Sequence, residues 1–132
     1  MPTRFIPEEL VLTIHADLLN RYGGLSGVRD RHLLDSALAQ PRMTAGGKFP
    51  HRTVFHKAAA YGFHVTKNHP FVDGNKRVAF ALMDIFLYRN GWDLKASEKD
   101  AYAMMIAVTT GTMSKKALSS WLRTHAERTA DQ

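Results

Sequence analysis

Residues 78–88 read VAFALMDIFLY, an apolar run interrupted by one carboxylate, Asp84. Read as a helix that starts near Gly74 or Asn75 and is capped by Gly91, it carries Val78, Leu82, Ile85 and Phe86 and is apolar on most faces. Such a helix is stable in water only when other elements cover most of its sides. It therefore has to be the buried centre of a larger packing unit, and the rest of the chain must supply the cover.

The flanking sequence supplies helices. Pro7, Glu8 and Glu9 suit a first helical turn, where proline fits and acids face the positive end of the dipole. Leu10, Ile14, Leu18 and Tyr22 then recur at near-helical spacing until the glycines at 23–24 stop the helix. A second helix is predicted from about Asp30, with Leu33, Leu34, Ala37 and Leu38 inward, ending before Pro41. RMTAGGKFPHR reads as a loop. A third helix from Thr53 places Val54, Phe55, Ala58, Tyr61, Gly62 and Val65 on one side and stops before NHPF. WDLKA reads as a short extended piece. Ser97 and Asp100 bracket the start of a fifth helix that Gly111 ends, and Ser114 caps a last one with Ala117, Leu118, Trp121 and Leu122 inward. The expected fold is all-α, about six helices around a buried central helix, in a single domain over residues 1–132, a common domain size.

Composition narrows the function. The chain has no cysteine, which removes disulfides, thiolate metal sites and cysteine nucleophiles. The N-terminal residues show no basic stretch followed by an apolar one, and no apolar run approaches the ~20 residues that span a bilayer, so a cytoplasmic protein without a membrane partner is expected. The net charge of +6 favours anionic partners, but the cations are scattered along the chain, as on a solvated surface. No recognition-helix, zinc or aromatic-stacking pattern accompanies them, so nucleic acid is not an expected partner.

The chemistry collects in HPFVDGNKR, residues 69–77, at the mouth of the apolar run. Gly74, Asn75, Lys76 and Arg77 fall at a predicted helix start, whose first N–H groups lack internal partners and whose dipole is positive. Such an end takes phosphate, and Arg77 adds a planar fork for phosphate oxygens. Asp73 would repel a bare phosphate, but Mg2+ is commonly held by one or two carboxylates plus substrate phosphates. His69 has the pKa range of a general base. Taken singly, the same residues also read as turn and N-cap material. His15 reads as a structural histidine beside an apolar stripe. His51, His56 and His64 could join His69 in a metal cluster, but their spacings lack the i, i+4 pair of common zinc motifs. Met104 and Met105 read as core filler.

HPFVDGNKR closely resembles the signature of the Fic/Doc superfamily, H-x-F-x-[DE]-G-N-[GK]-R, in its death-on-curing (Doc) toxin branch. IHADLLNRYGGLSGVRD is similar to that family's first helix and glycine turn, FLYRNGWDL to the end of its central helix, and TTGTMSKKALSSWLR to its last two helices. The resemblance implies a toxin of a toxin–antitoxin module that transfers the γ-phosphate of ATP to a hydroxyl of a protein, with an elongation factor or related translation component as target class. It implies His69 as base, Asp73 on Mg2+, Gly74, Asn75, Lys76 and Arg77 on phosphates, Phe71 as loop anchor and Lys67 as a further phosphate contact. Fic transferases that move AMP commonly carry glycine after the asparagine and a second arginine three residues after the first; here those positions are Lys76 and Phe80, which favours phosphate transfer. The inhibitory [ST]-x-x-x-E-[GN] motif of Fic proteins does not occur, so the expected inhibitor is a separate antitoxin with an amphipathic, partly disordered segment. The alternatives are a Fic-type AMP transferase, a nuclease or nucleic-acid-binding toxin, and an interaction module whose loop is a relic.

Overall fold

Gly62 sits where helix α3 (Val54–Asn68) crosses helix α4 (Asn75–Arg89). A Cβ at this position would collide with the Met83 side chain, so glycine is what lets the two helices approach this closely. The computed structural model describes residues 2–43 and 53–129, and within them α3 and α4 form the centre. The loop predicted over 42–52 lies almost wholly outside the described residues. α3 buries Phe55, Lys57, Ala58, Ala59, Ala60, Tyr61, Gly62, Val65 and Thr66; α4 buries Asn75, Val78, Ala79, Leu82, Met83, Phe86 and Leu87. The buried centre expected of α4 alone is thus a pair. The run of alanines in α3 lets neighbours press against several of its sides, whereas Asp84 and Tyr88 leave part of α4 in solvent.

Around this pair lie α1 (Glu8–Tyr22), α2 (Arg31–Ala39) with a 3₁₀ turn (Gln40–Arg42), α5 (Glu98–Thr110) and α6 (Lys115–Thr124). Local side chains start most of them. Asp30, Thr53, Ser97 and Ser114 each accept a hydrogen bond from the N–H three residues on, the N-cap arrangement worth about 1 kcal/mol. α4 differs: its N-cap is Gly74, which has no side chain to spend on the first turn.

Three sequence expectations shift. In α1 the deepest residues are Val11 and His15, one position on from Leu10 and Ile14, and Tyr22 is 61% exposed. In α6 Ala117 is exposed and Ser119 buried beside Leu118 and Leu122, a small rotation of the inward stripe. The WDLKA segment does form a strand, β1 (Trp92–Leu94), but its antiparallel partner β2 (Ala126–Arg128) had no sequence signal. The Ile6 N–H donates to the buried Tyr61 hydroxyl (3.0 Å), which ties the N-terminal segment to α3. Among the described residues no helix is long and apolar enough to cross a membrane.

Candidate active site

The loop between α3 and α4 is held from below. Phe71 is fully buried and stacks on His15, ring centres 3.9 Å apart at 14°. Asn75, 4% exposed, uses its whole side chain on the loop: Oδ1 accepts from the Phe71 N–H and Nδ2 donates to the Phe71 carbonyl, both at 2.9 Å. His15 Nε2–H donates to the Asp73 carbonyl at 2.9 Å. Asn75 and His15 therefore satisfy backbone groups that a tight loop cannot pair within itself.

A second layer comes from the segment after α1. The Val72 N–H donates to the Gly27 carbonyl, and the Arg29 and Asp30 N–H groups donate to the Pro70 carbonyl. The Arg29 side chain donates to the carbonyls of His69 (2.7 Å) and Asn68 (3.0 Å). These belong to the C-terminal end of α3, where carbonyls lack helical partners and a cation is favoured. Sequence reasoning missed Arg29, because nothing local connects it to residues some forty positions away.

On this support the charged groups face outward. His69 ends α3 in the left-handed conformation (φ 52°), the one non-glycine residue with positive φ among those described. Histidine tolerates this region better than most side chains. Asn75 Nδ2 lies 3.2 Å from His69 Nδ1. The amide can only donate there, so in the neutral ring Nδ1 accepts and the proton rides on Nε2. Asp73 Oδ2 accepts from the Leu25 N–H (3.1 Å) and Oδ1 from the Gly74 N–H (2.9 Å). The Leu25 bond, then the Gly74 bond, hold the Asp73 carboxyl below its ordinary pKa, so it is ionised at neutral pH. Lys76 and Arg77 are exposed on the first turn of α4, and neither forms an ion pair among the described residues.

A cleft of about 470 Å³ opens over these groups, a volume typical of small-ligand sites. Its polar wall is Thr66, His69, Asp73, Gly74, Asn75, Lys76 and Arg77; its apolar wall is Phe80 with Ala101, Tyr102, Met105 and Ile106 of α5, and Thr109 lies beside them. The structure thus brings together His69, Asp73, Gly74, Asn75, Lys76 and Arg77. It does not bring Lys67 to the cleft: Lys67 lies exposed on the last turn of α3 with its ammonium 5.6 Å from the Phe63 ring centre. Asn75 also takes a different place from the one expected, since its amide serves the loop and His69. The α5 wall was missed, and Met105, read as core filler, is both buried and part of that wall. Of the remaining histidines, His56 bonds Thr53 at the start of α3 and His64 lies 3.0 Å from the Lys115 ammonium; His51 lies outside the described residues.

Chemically, an anion seated at the uncapped start of α4 meets free N–H groups, the helix dipole and two cations. The lone carboxylate offers a hard oxygen ligand on the same side, and the imidazole stands at the edge. The chain is also similar to known proteins. Residues 5–87 match the model of the Fic/DOC family. A protein named Toxin Doc from Mycolicibacterium smegmatis is 40% identical over 94 residues, 71% of this chain and 70% of the relative. A protein named Protein kinase doc from Escherichia phage P1 is 31% identical over 118 residues, 89% of this chain and 90% of the relative.

Proposed function

The chain belongs to the Fic/DOC family, and from that premise we propose that it is the toxin of a toxin–antitoxin module, an enzyme that moves the γ-phosphate of ATP onto a hydroxyl of a protein. The observation that carries the reading is the gathering of His69, Asp73, Lys76 and Arg77 around one cleft at a helix start that spends no side chain on its own first turn. The printed names of the two relatives, a toxin and a protein kinase, point the same way.

In this reading the triphosphate lies along the first turn of α4. The N–H groups there, Lys76 and the Arg77 fork hold its oxygens. Asp73 fits a magnesium ion: its carboxylate is charged, each oxygen keeps a lone pair beyond the N–H it accepts, and one carboxylate plus phosphate oxygens is a donor set that magnesium takes. The ion, when bound, neutralises phosphate charge at the reacting end. A bond forms between the target hydroxyl oxygen and the γ-phosphorus, the bond from that phosphorus to the β-bridging oxygen breaks, and ADP leaves. The hydroxyl proton goes to His69. In the neutral ring Nε2 already carries a proton and the Nδ1 lone pair accepts from Asn75, so the hydroxyl proton is taken at Nδ1 once the exposed ring turns about its Cβ–Cγ bond or releases Asn75 as the target arrives; exposed side chains turn in picoseconds to nanoseconds.

Lys76 and Phe80 support phosphate over AMP transfer. Lys76 fills space at the helix start that a glycine would leave for the α-phosphate, and Phe80 places a ring in the cleft where a second arginine would grip the far end of the triphosphate. Within the same proposal the target is a protein of the elongation machinery, the protein acts in the cytoplasm, and a separate antitoxin with an amphipathic segment that folds on binding holds it inactive.

Calorimetric titration of ATP with and without magnesium tests the site. The parent binds ATP more tightly with the metal. Asp73→Ala removes the metal's contribution, and Arg77→Ala weakens binding under both conditions. A parent chain that takes up no heat from ATP in either condition sinks the proposal.

A further inference from the structure

Tyr22 continues the Leu10, Ile14, Leu18 series, yet its ring is 61% exposed at the end of α1. An aromatic ring in that position gains little from burial, so its location calls for another contact. That contact is Arg77: its guanidinium carbon lies 4.3 Å from the centre of the Tyr22 ring. Arg77 has no carboxylate within ion-pair reach among the described residues. Asp73 acts on the guanidinium only electrostatically and from beyond ion-pair distance, so the ring is the direct contact at the end of a long side chain that otherwise carries about 2 kcal/mol of rotamer entropy.

The same turn touches the other charged group of the cleft. The Leu25 N–H bonds Asp73 Oδ2, and Gly24 (φ +125°) lies so close that a Cβ there would stand 2.9 Å from the same oxygen. Residues 22–25, outside the stretch that carries the chemistry, thus hold Arg77 through a ring face and Asp73 through a backbone donor.

We propose that Tyr22 is a positioning residue for Arg77: its ring holds one face of the guanidinium so that the N–H edge stays presented to a bound phosphate chain. The inference rests on the phosphotransferase reading of the cleft. A guanidinium stacked on an aromatic keeps its in-plane donors available, which an ion pair with a carboxylate would consume. The phenol hydroxyl has no part in this, so the ring alone carries the effect.

Two measurements on the parent, Tyr22→Phe and Tyr22→Leu test it. In nucleotide-free protein, proton NMR of the Arg77 side chain, identified by its loss in Arg77→Ala, shows upfield ring-current shifts in the parent and in Tyr22→Phe, and none in Tyr22→Leu. Titrated with ATP and magnesium, Tyr22→Leu binds about two- to five-fold more weakly, matching the strength of an exposed cation–π contact, and Tyr22→Phe recovers parental affinity. Melting temperatures of the two variants agree with each other. Unshifted Arg77 signals in the parent overturn the proposal, as does equal ATP affinity of the Phe and Leu variants. A parent that binds no ATP instead defeats the phosphotransferase reading, and the positioning role falls with it.

Discussion

Residues 69–77 divide into an inner and an outer half. Phe71 and Asn75 are buried, at 0% and 4% exposure, and every polar atom of the Asn75 side chain is spent on the loop or on His69. His69, Asp73, Lys76 and Arg77 are exposed; the Asp73 carboxylate accepts two backbone N–H groups, His69 Nδ1 meets the Asn75 amide, and Arg77 lies over a ring face. The inner half shapes the loop by burial and satisfied backbone groups. The outer half holds charge where a ligand can reach it. Substitution should therefore cost stability mainly on one side of this division and binding or catalysis mainly on the other.

The sharpest way to break the division is Phe71→Ala. Removing a fully buried ring that stacks on His15 should cost about 3–5 kcal/mol of stability, read as a lower denaturation midpoint. A loss under about 1 kcal/mol would show that the loop is not anchored through this ring.

Asn75→Ala comes next. It strands the buried Phe71 N–H and carbonyl, for a cost of about 1–3 kcal/mol. Amide exchange at Phe71 should accelerate well beyond that of the α4 core. If stability holds and only ligand binding falls, Asn75 belongs to the outer half and the division is drawn in the wrong place.

The smallest effect concerns Asp73. Its folded pKa is depressed by the Leu25 and Gly74 N–H groups, so its contribution to stability is present above the unshifted value of 3.8 and is lost as pH falls through the folded value. The carboxyl carbon of Asp73, followed by NMR, should titrate with a midpoint below 3.8. A midpoint at or above that value would mean that the carboxylate is not held by the turn after α1.

How much of this the sequence discloses depends on the range of the interaction. Helix starts at Asp30, Thr53, Ser97 and Ser114 are legible because a cap bonds an N–H only three residues away. The signature residues were legible because they are contiguous and sit at a helix start. Arg29, the α5 wall and strand β2 act across long sequence separations and leave no periodic trace. Tyr22 misled for a related reason. Its spacing matched an apolar stripe, but the stripe rotates out of the core by the last turn of α1, and what the ring meets there is Arg77. Lys67, a position carried over from the resemblance, has its ammonium 5.6 Å from the Phe63 ring centre and is not among the residues that line the cleft.

The central claim is that the outer half transfers a phosphate. The direct measurement uses ATP labelled at the α or at the γ position, incubated with the purified chain, with His69→Ala as control, and a cell lysate from which the labelled protein is identified. The account predicts γ-label on a target protein hydroxyl, no α-label, and loss of transfer in His69→Ala while its melting temperature stays within the range of a surface change, about 0.5 kcal/mol in stability. Label from the α position on the target, with none from the γ position, would contradict it and make the chain an AMP transferase.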